Sequence, residues 1–237
     1  MRYALYFSPA ENHPLTKAAG YWLGRDAFTG ETFPTPVVQG LTPADVHALT
    51  ADARRYAFHA TLKAPFELHA DRSEAELLTA MERFAAETPV FDIPNVVIGQ
   101  LGRFFALVPD RIYPELQDFA ARVVEDFEPF RAVLSQADIA RRKPEMLTAS
   151  QRAHLHRWGY PYVMDEFQFH MTLTNQVTSE QSPVMRDELE RRFAAFTNAP
   201  LTIDGLALFI EPERGAPFIA HRWFALSPAA ANRKTAS

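Results

Sequence analysis

Two short segments hold the residues best suited to chemistry. Phe58-His59-Ala60-Thr61-Leu62 and Phe169-His170-Met171-Thr172-Leu173 repeat one pattern 111 residues apart. Both alternate, as β-strands do, and residues i and i+2 of a strand share a face. His59 and Thr61 therefore project together, as do His170 and Thr172, while the phenylalanines and leucines fall on the other side. An imidazole titrates near neutrality, so one ring can take a proton from attacking water while the other gives one to a departing oxygen. A threonine hydroxyl can donate a hydrogen bond to a non-bridging phosphoryl oxygen, where negative charge builds in the transition state. Two such faces meeting across one cleft suit phosphodiester chemistry, and the arrangement needs no metal.

On the same alternation Lys63 and Thr174 continue the two histidine faces, which places them at the cleft rim. Tyr160 and Tyr162 precede the second histidine strand in Gly159-Tyr160-Pro161-Tyr162. Tyr162 is a candidate for stacking on a base or sugar. Tyr56 falls on the face opposite His59 if the strand has no bulge. The basic run Arg141-Arg142-Lys143 can steer an anionic ligand. His154 and His156 lie two apart on a predicted helix and do not share a face, so a chelate is not expected. There is no Gly-rich phosphate loop, no Ser-centred elbow and no zinc-spaced cluster, and neither a cofactor nor a metal is expected.

The elements that must position these residues come in two similar rounds. An N-terminal strand over residues 1–9 and a helix over 15–27 lead into a Pro- and Gly-rich loop at 29–40. Each round then runs helix, strand, helix, strand, strand. In the first, Thr42-Pro43 starts a helix ending near residue 55, and the first histidine strand covers 56–65. A helix over 73–87 opens with a capping-box pattern, Ser73 with Glu76. A strand pair occupies 91–97 and 104–108. In the second, residues 113–130 are helical and 132–144 form a loop. A helix over 148–158 ends at Gly159, the second histidine strand covers 166–174, a helix covers 182–197, and strands cover 201–210 and 219–226. Phe91-Asp92-Ile93 matches Leu201-Thr202-Ile203, and Phe105-Ala106-Leu107 matches Phe224-Ala225-Leu226. These matches indicate duplication of half the chain. The fold class read from this order is α+β: a bilobal, pseudo-twofold duplication with an antiparallel sheet backed by helices in each lobe and an active cleft between the lobes. Residues 1–237 are taken as one domain, with lobe 1 at about 10–110, lobe 2 at about 111–228 plus the N-terminal strand, and a flexible tail at 229–237.

The chain has 237 residues, of which 47% are hydrophobic and 22% charged, an ordinary globular balance. No apolar run is long enough to span a membrane, and residues 1–9 are too short and polar for a secretory h-region. Zero cysteines exclude disulfides and thiolate chemistry. A cytoplasmic location is the default expectation. The net charge of −5 argues against a protein that coats long nucleic acid. A small anionic substrate held in a local basic pocket is compatible with this balance.

The paired His59-Ala60-Thr61-Leu62 and His170-Met171-Thr172-Leu173 resemble the signatures of the two-histidine (2H) phosphoesterase superfamily. Residues 2–9, 22–27 (WLGRDA), 55–66 (RYAFHATLKAPF) and 157–175 (RWGYPYVMDEFQFHMTLTN) are similar to a bacterial branch often encoded with phosphonate-utilisation genes. The resemblance implies metal-independent phosphodiester chemistry on a bilobal fold, with a small phosphorylated partner: a cyclic ribose phosphate, a nucleotide or an RNA end. His59 and His170 would be the acid–base pair, and Thr61 and Thr172 the phosphate binders. It does not say which histidine is the base, whether the reaction hydrolyses or ligates, what the substrate is, or how many subunits assemble. A binding module holding a nucleotide or sugar phosphate in the same cleft is the alternative, and an RNA-binding protein a weaker third.

Overall fold

The N-terminal segment alternates Tyr3, Leu5 and Phe7 against Ala4 and Tyr6. In the computed structural model, which describes residues 1–228, it forms β1 (Arg2–Phe7). Tyr3, Leu5 and Phe7 enter the main core, and Ala4 and Tyr6 enter a smaller cluster on the opposite face. The strand is thus buried on both sides, as suits a position inside a sheet. It lies between β2 (Ala60–Phe66) and β7 (Gly205–Glu211), antiparallel to both.

The remaining strands are β3 (Phe91–Leu101), β4 (Phe104–Pro109), β5 (Met171–Thr172), β6 (Ala199–Ile203) and β8 (Ile219–Ala225). All eight form one antiparallel sheet in the order β6-β3-β4-β5-β2-β1-β7-β8. Only Asp204 separates β6 from β7 in the chain, although they lie near opposite ends of that order. The sheet must therefore curl until its ends approach, and Ser227 bonds back to Ala85 and Thr88 near the gap. The strands of the two repeats interleave. The β3–β4 hairpin of the first flanks β5 of the second, and the β7–β8 hairpin of the second is joined to β2 of the first through β1. The boundary near residue 110 thus separates sequence repeats, while the sheet runs through it. Ala60 pairs with Met171 and Asp92 with Thr202. Residues matched by the repeat therefore face each other, as a pseudo-twofold axis through both pairs requires.

The helices start and stop where their caps direct. They are α1 (Pro14–Leu23), α2 (Pro43–Leu49), α3 (Ala51–Tyr56), α4 (Glu74–Glu87), α5 (Pro114–Asp126), α6 (Gln136–Arg141), α7 (Ala149–Trp158) and α8 (Gln181–Arg192). Ser73 with Glu76, Thr42 with Asp45 and Thr148 with Gln151 all close reciprocal capping boxes. Gly159 ends α7 in the left-handed conformation, φ 75°. Several expectations change. The helix over 42–55 divides into α2 and α3 at Thr50. The loop over 132–144 contains α6, capped by Ser135. The two histidine strands are shorter than the alternation implies, so His59 and His170 each sit immediately before a strand. The expected flexible tail at 229–237 lies outside the described residues. Among the described residues no helix is long and apolar enough to cross a membrane.

Candidate active site

The site is built on the β2–β5 pair. With Ala60 opposite Met171 in an antiparallel register, His59 comes opposite Thr172 and Thr61 opposite His170. Directly opposed side chains stand about 5 Å apart at Cβ, so the four groups form a compact patch on one face. Ala60 and Met171, both fully buried, point the other way and anchor the patch to the core. All four line one cleft of ≈ 280 Å³, together with Tyr6, Tyr56, Tyr160, Arg2 and Arg142.

Both imidazoles are fixed in the same manner. Nδ1 of His59 lies 2.9 Å from the carbonyl of Ala57, and Nδ1 of His170 lies 2.7 Å from that of Gln168. A carbonyl only accepts, so each Nδ1 carries the proton and each neutral ring presents an unprotonated Nε2. Nε2 of His59 is 3.1 Å from the Thr61 hydroxyl, which donates to it in that tautomer. The His59 ring also stacks on Tyr6, with centroids 3.7 Å apart and planes 20° from parallel. Ala57 makes this placement possible, because its positive φ of 67° turns the chain sharply out of α3 just before His59.

Burial pushes the His59 pKa down to about 4; the Ala57 carbonyl opposes this in part, and the nearby His170 adds to it. Burial also lowers His170, against the opposing pull of the Gln168 carbonyl. The two rings are therefore poised neutral, and each disfavours a positive charge on the other. Burial raises the Tyr6 and Tyr160 phenols, which stay protonated. The hydroxyl of Thr172 has no partner among the described residues and is free to meet a ligand.

Lys63 and Thr174 do not join the cleft. The β1–β2 register steps by one residue from Leu5 to Tyr6 but by two from Lys63 to Thr61. This bulge turns Lys63 onto the core side. There its ammonium group meets the Val124 carbonyl at 2.9 Å and Glu128 at 2.8 Å. A matching irregularity follows β5, where the amides of Leu173 and Thr174 both reach the Phe105 carbonyl. The Thr174 hydroxyl accepts from the Phe105 amide and is fully buried. Tyr162 lies just outside the cleft. With Phe104, Phe167 and Tyr160 it lines an adjoining hollow of ≈ 370 Å³ that His170 and Thr61 also border.

Tyr56 moves the other way. The turn at Ala57 brings it to the cleft, 6.5 Å from the His59 ring, and not to the opposite face. Arg142 of the basic run also reaches the cleft, its guanidinium 4.9 Å above the Tyr160 ring, whereas Arg141 pairs with Asp138. His154 bonds Asp165 at 2.6 Å, away from these groups. Tyr6 and Arg2 carry no local signal in the sequence. Period two places them on one face of β1, but nothing nearby says that β1 lies beside the first histidine strand.

Residues 61–219 match the family model described as DUF1045, protein of unknown function. Two curated relatives are named ribose 1,5-bisphosphate phosphokinase PhnN. The one from Janthinobacterium sp. (strain Marseille) is 39% identical over 222 residues, covering 92% of this chain and 49% of the relative. The one from Laribacter hongkongensis (strain HLHK9) is 32% identical over 220 residues, covering 92% and 50%. The chain thus spans about half the length of these relatives. Among solved structures it is similar to TT0787 of Thermus thermophilus, with 14% identity, TM-score 0.42 and coverage of 96% and 99%. It is also similar to E. coli LigT complexed with NADP+, with 14% identity, TM-score 0.42 and coverage of 95% and 97%.

Proposed function

The chain belongs to the DUF1045 family, and we propose that it is a phosphoesterase that opens a cyclic phosphate or cleaves a small 2′-linked phosphodiester by two-histidine general acid–base catalysis. One observation carries the reading: the β2–β5 register sets two imidazoles and two threonine hydroxyls on one face, with each ring fixed through Nδ1 and its Nε2 left unprotonated.

In hydrolysis, the phosphodiester sits over Thr61 and Thr172; its binding draws the Thr61 hydroxyl away from His59 Nε2, and both hydroxyls donate to its non-bridging oxygens. His59, whose proton affinity is the more strongly reduced, takes a proton from water at Nε2 as the water oxygen bonds to phosphorus. The bond to the departing sugar oxygen breaks, and His170 delivers the proton from its Nε2. The proton count balances when one ring starts neutral and the other protonated; repulsion within the pair disfavours the doubly protonated state, and the charge of the bound anionic diester favours keeping a proton on His170. Each catalytic ring is worth about 10²–10⁴-fold in rate. No step requires a metal or cofactor.

The name of the curated relatives concerns a ribose bisphosphate, which makes a cyclic ribose phosphate the first substrate to test, in the setting of phosphonate metabolism and a cytoplasmic enzyme. The kinase activity in that name belongs to proteins twice as long, and this chain has no Gly-x-x-x-x-Gly-Lys phosphate loop. Phosphorus NMR in excess EDTA, against cyclic ribose phosphates, nucleoside cyclic phosphates and short 2′–5′ oligonucleotides, tests the reading. Conversion of a cyclic resonance to a phosphomonoester is the expected result. Line broadening without conversion across the panel would replace the enzyme by a binding module.

A further inference from the structure

Beside the histidine cleft, and sharing Arg2, Tyr56, Pro65 and Arg142 with it, lies a larger chamber of ≈ 490 Å³. Its wall carries five guanidinium groups, those of Arg2, Arg55, Arg141, Arg142 and Arg214. The carboxylates set against them are Glu67 and Asp138 in the wall and Glu211 behind it, so two positive charges remain in excess.

The arrangement is held from behind. Glu211 is fully buried and takes Arg2 Nε at 2.5 Å, Arg55 at 2.6 Å and the Gly215 amide at 2.9 Å. Arg55 also donates through Nε to the Gly215 carbonyl at 3.1 Å and lies 4.6 Å over the Tyr56 ring. Arg2 uses only Nε, which leaves both of its terminal amino groups without partners among the described residues. Arg142 has no carboxylate partner among them. Arg2 and Arg142 are also the two arginines that border the histidines. Guanidinium forks match the oxygens of phosphate two at a time. An excess of two charges fits a dianionic monoester better than a carboxylate.

We propose that this chamber binds a second, terminal phosphate of the substrate. The preferred substrate is then a small bisphosphorylated molecule with its reactive diester at His59 and His170 and a phosphomonoester among the arginines. The assignment rests on the phosphoesterase reading for its substrate, and its test separates the two.

A ribose cyclic phosphate and a nucleoside 2′,3′-cyclic phosphate are each compared with and without a phosphate on C5. The second phosphate is expected to raise kcat/KM by about 10–100-fold, chiefly through KM, the range of one or two charge-assisted hydrogen bonds. Arg142→Ala is expected to collapse that ratio. So is Val133→Glu, which adds a negative charge at an 88% exposed position of the wall without removing any ion pair. Inorganic phosphate is expected to raise KM more for the bisphosphorylated member of each pair, whereas a separate effector site for free phosphate would alter both members equally. Equal kcat/KM within both pairs, with both members cleaved, overturns the subsite. If no member is cleaved, the phosphoesterase reading falls, and calorimetry of the same compounds with the His59→Ala protein decides the subsite alone. A second phosphate that tightens Kd about tenfold or more, lost in the His59→Ala, Arg142→Ala double variant, upholds it, and equal Kd values overturn it.

Discussion

The lowered histidines make a specific demand on the pH dependence of the reaction. Catalysis needs His59 neutral and His170 protonated. His59 loses its proton above about pH 4, and His170 keeps its own only below a value held under the ordinary 6.5. In the free enzyme the competent form therefore exists between these limits. kcat/KM should follow a bell with its maximum below pH 6.5, falling about tenfold per pH unit on the alkaline side. A bound phosphodiester changes this. An anion about 4 Å from an imidazolium is worth about 4 kcal/mol at an effective dielectric of 20. At 1.36 kcal/mol per unit that raises each ring by about 2–3 pH units once lost hydration is set against it. The alkaline limb of kcat should thus lie about 2–3 pH units above that of kcat/KM. The assay is phosphate-ester release from a converted cyclic substrate between pH 4 and 9.5 at constant ionic strength. A kcat/KM that is level or rising from pH 6.5 to 8.5, or alkaline limbs that coincide for kcat and kcat/KM, would refute the reasoning.

Thr172→Val removes a hydroxyl with no partner among the described residues, so it should cost about 10²–10³ in kcat while urea unfolding stays within about 1 kcal/mol of wild type. Glu211→Gln strands two guanidinium groups on a fully buried side chain, and because both arginines keep some solvent contact the loss should be about 2–4 kcal/mol in denaturant melts. Burial pushes the Glu211 carboxyl up, but hydrogen bonds from Arg2 and Gly215 and the Arg2 charge outweigh it and hold it below 4.5. Its contribution is therefore present above pH 4.5 and fades as the pH falls through the lowered value, so acid titration of wild type and variant should converge there. Gly205→Ala would drive a Cβ into the Trp223 ring and should cost about 1–3 kcal/mol, seen as a lower Tm with altered tryptophan emission.

The elements that declared themselves in the sequence did so through short-range chemistry. Ser73 with Glu76 marks the start of α4, Gly159 marks the end of α7, and two copies of His-x-Thr mark the site itself. What escaped depends on contacts remote in the chain or on a single extra residue. A bulge between Thr61 and Lys63 reverses a face without any glycine to announce it, so alternation carries Lys63 into the cleft when the fold buries it against Glu128. Thr174 misleads in the same way after β5. Tyr56 reaches the site because Ala57 adopts a left-handed φ, which the sequence Tyr-Ala-Phe-His does not advertise. Arg2 and Tyr6 arrive through topology, since β1 inserts between β2 and β7 from the far end of the chain. The chamber arginines come from β1, α3, α6 and its C-cap, and the turn after β7, and only the curled sheet gathers them. The repeat was legible as a repeat, but the interleaving of its hairpins was not, because strand order is decided by packing and not by local preference.

The central claim is that His59 and His170 act on one phosphodiester, and turnover by the His59→Ala, His170→Ala and double variants tests it most directly. In excess EDTA, each single variant should lose about 10²–10⁴-fold in kcat on the converted cyclic phosphate, with the double variant little worse than the poorer single, as residues acting in one step behave. Retention of wild-type kcat by both single variants, with folding intact, would contradict the account.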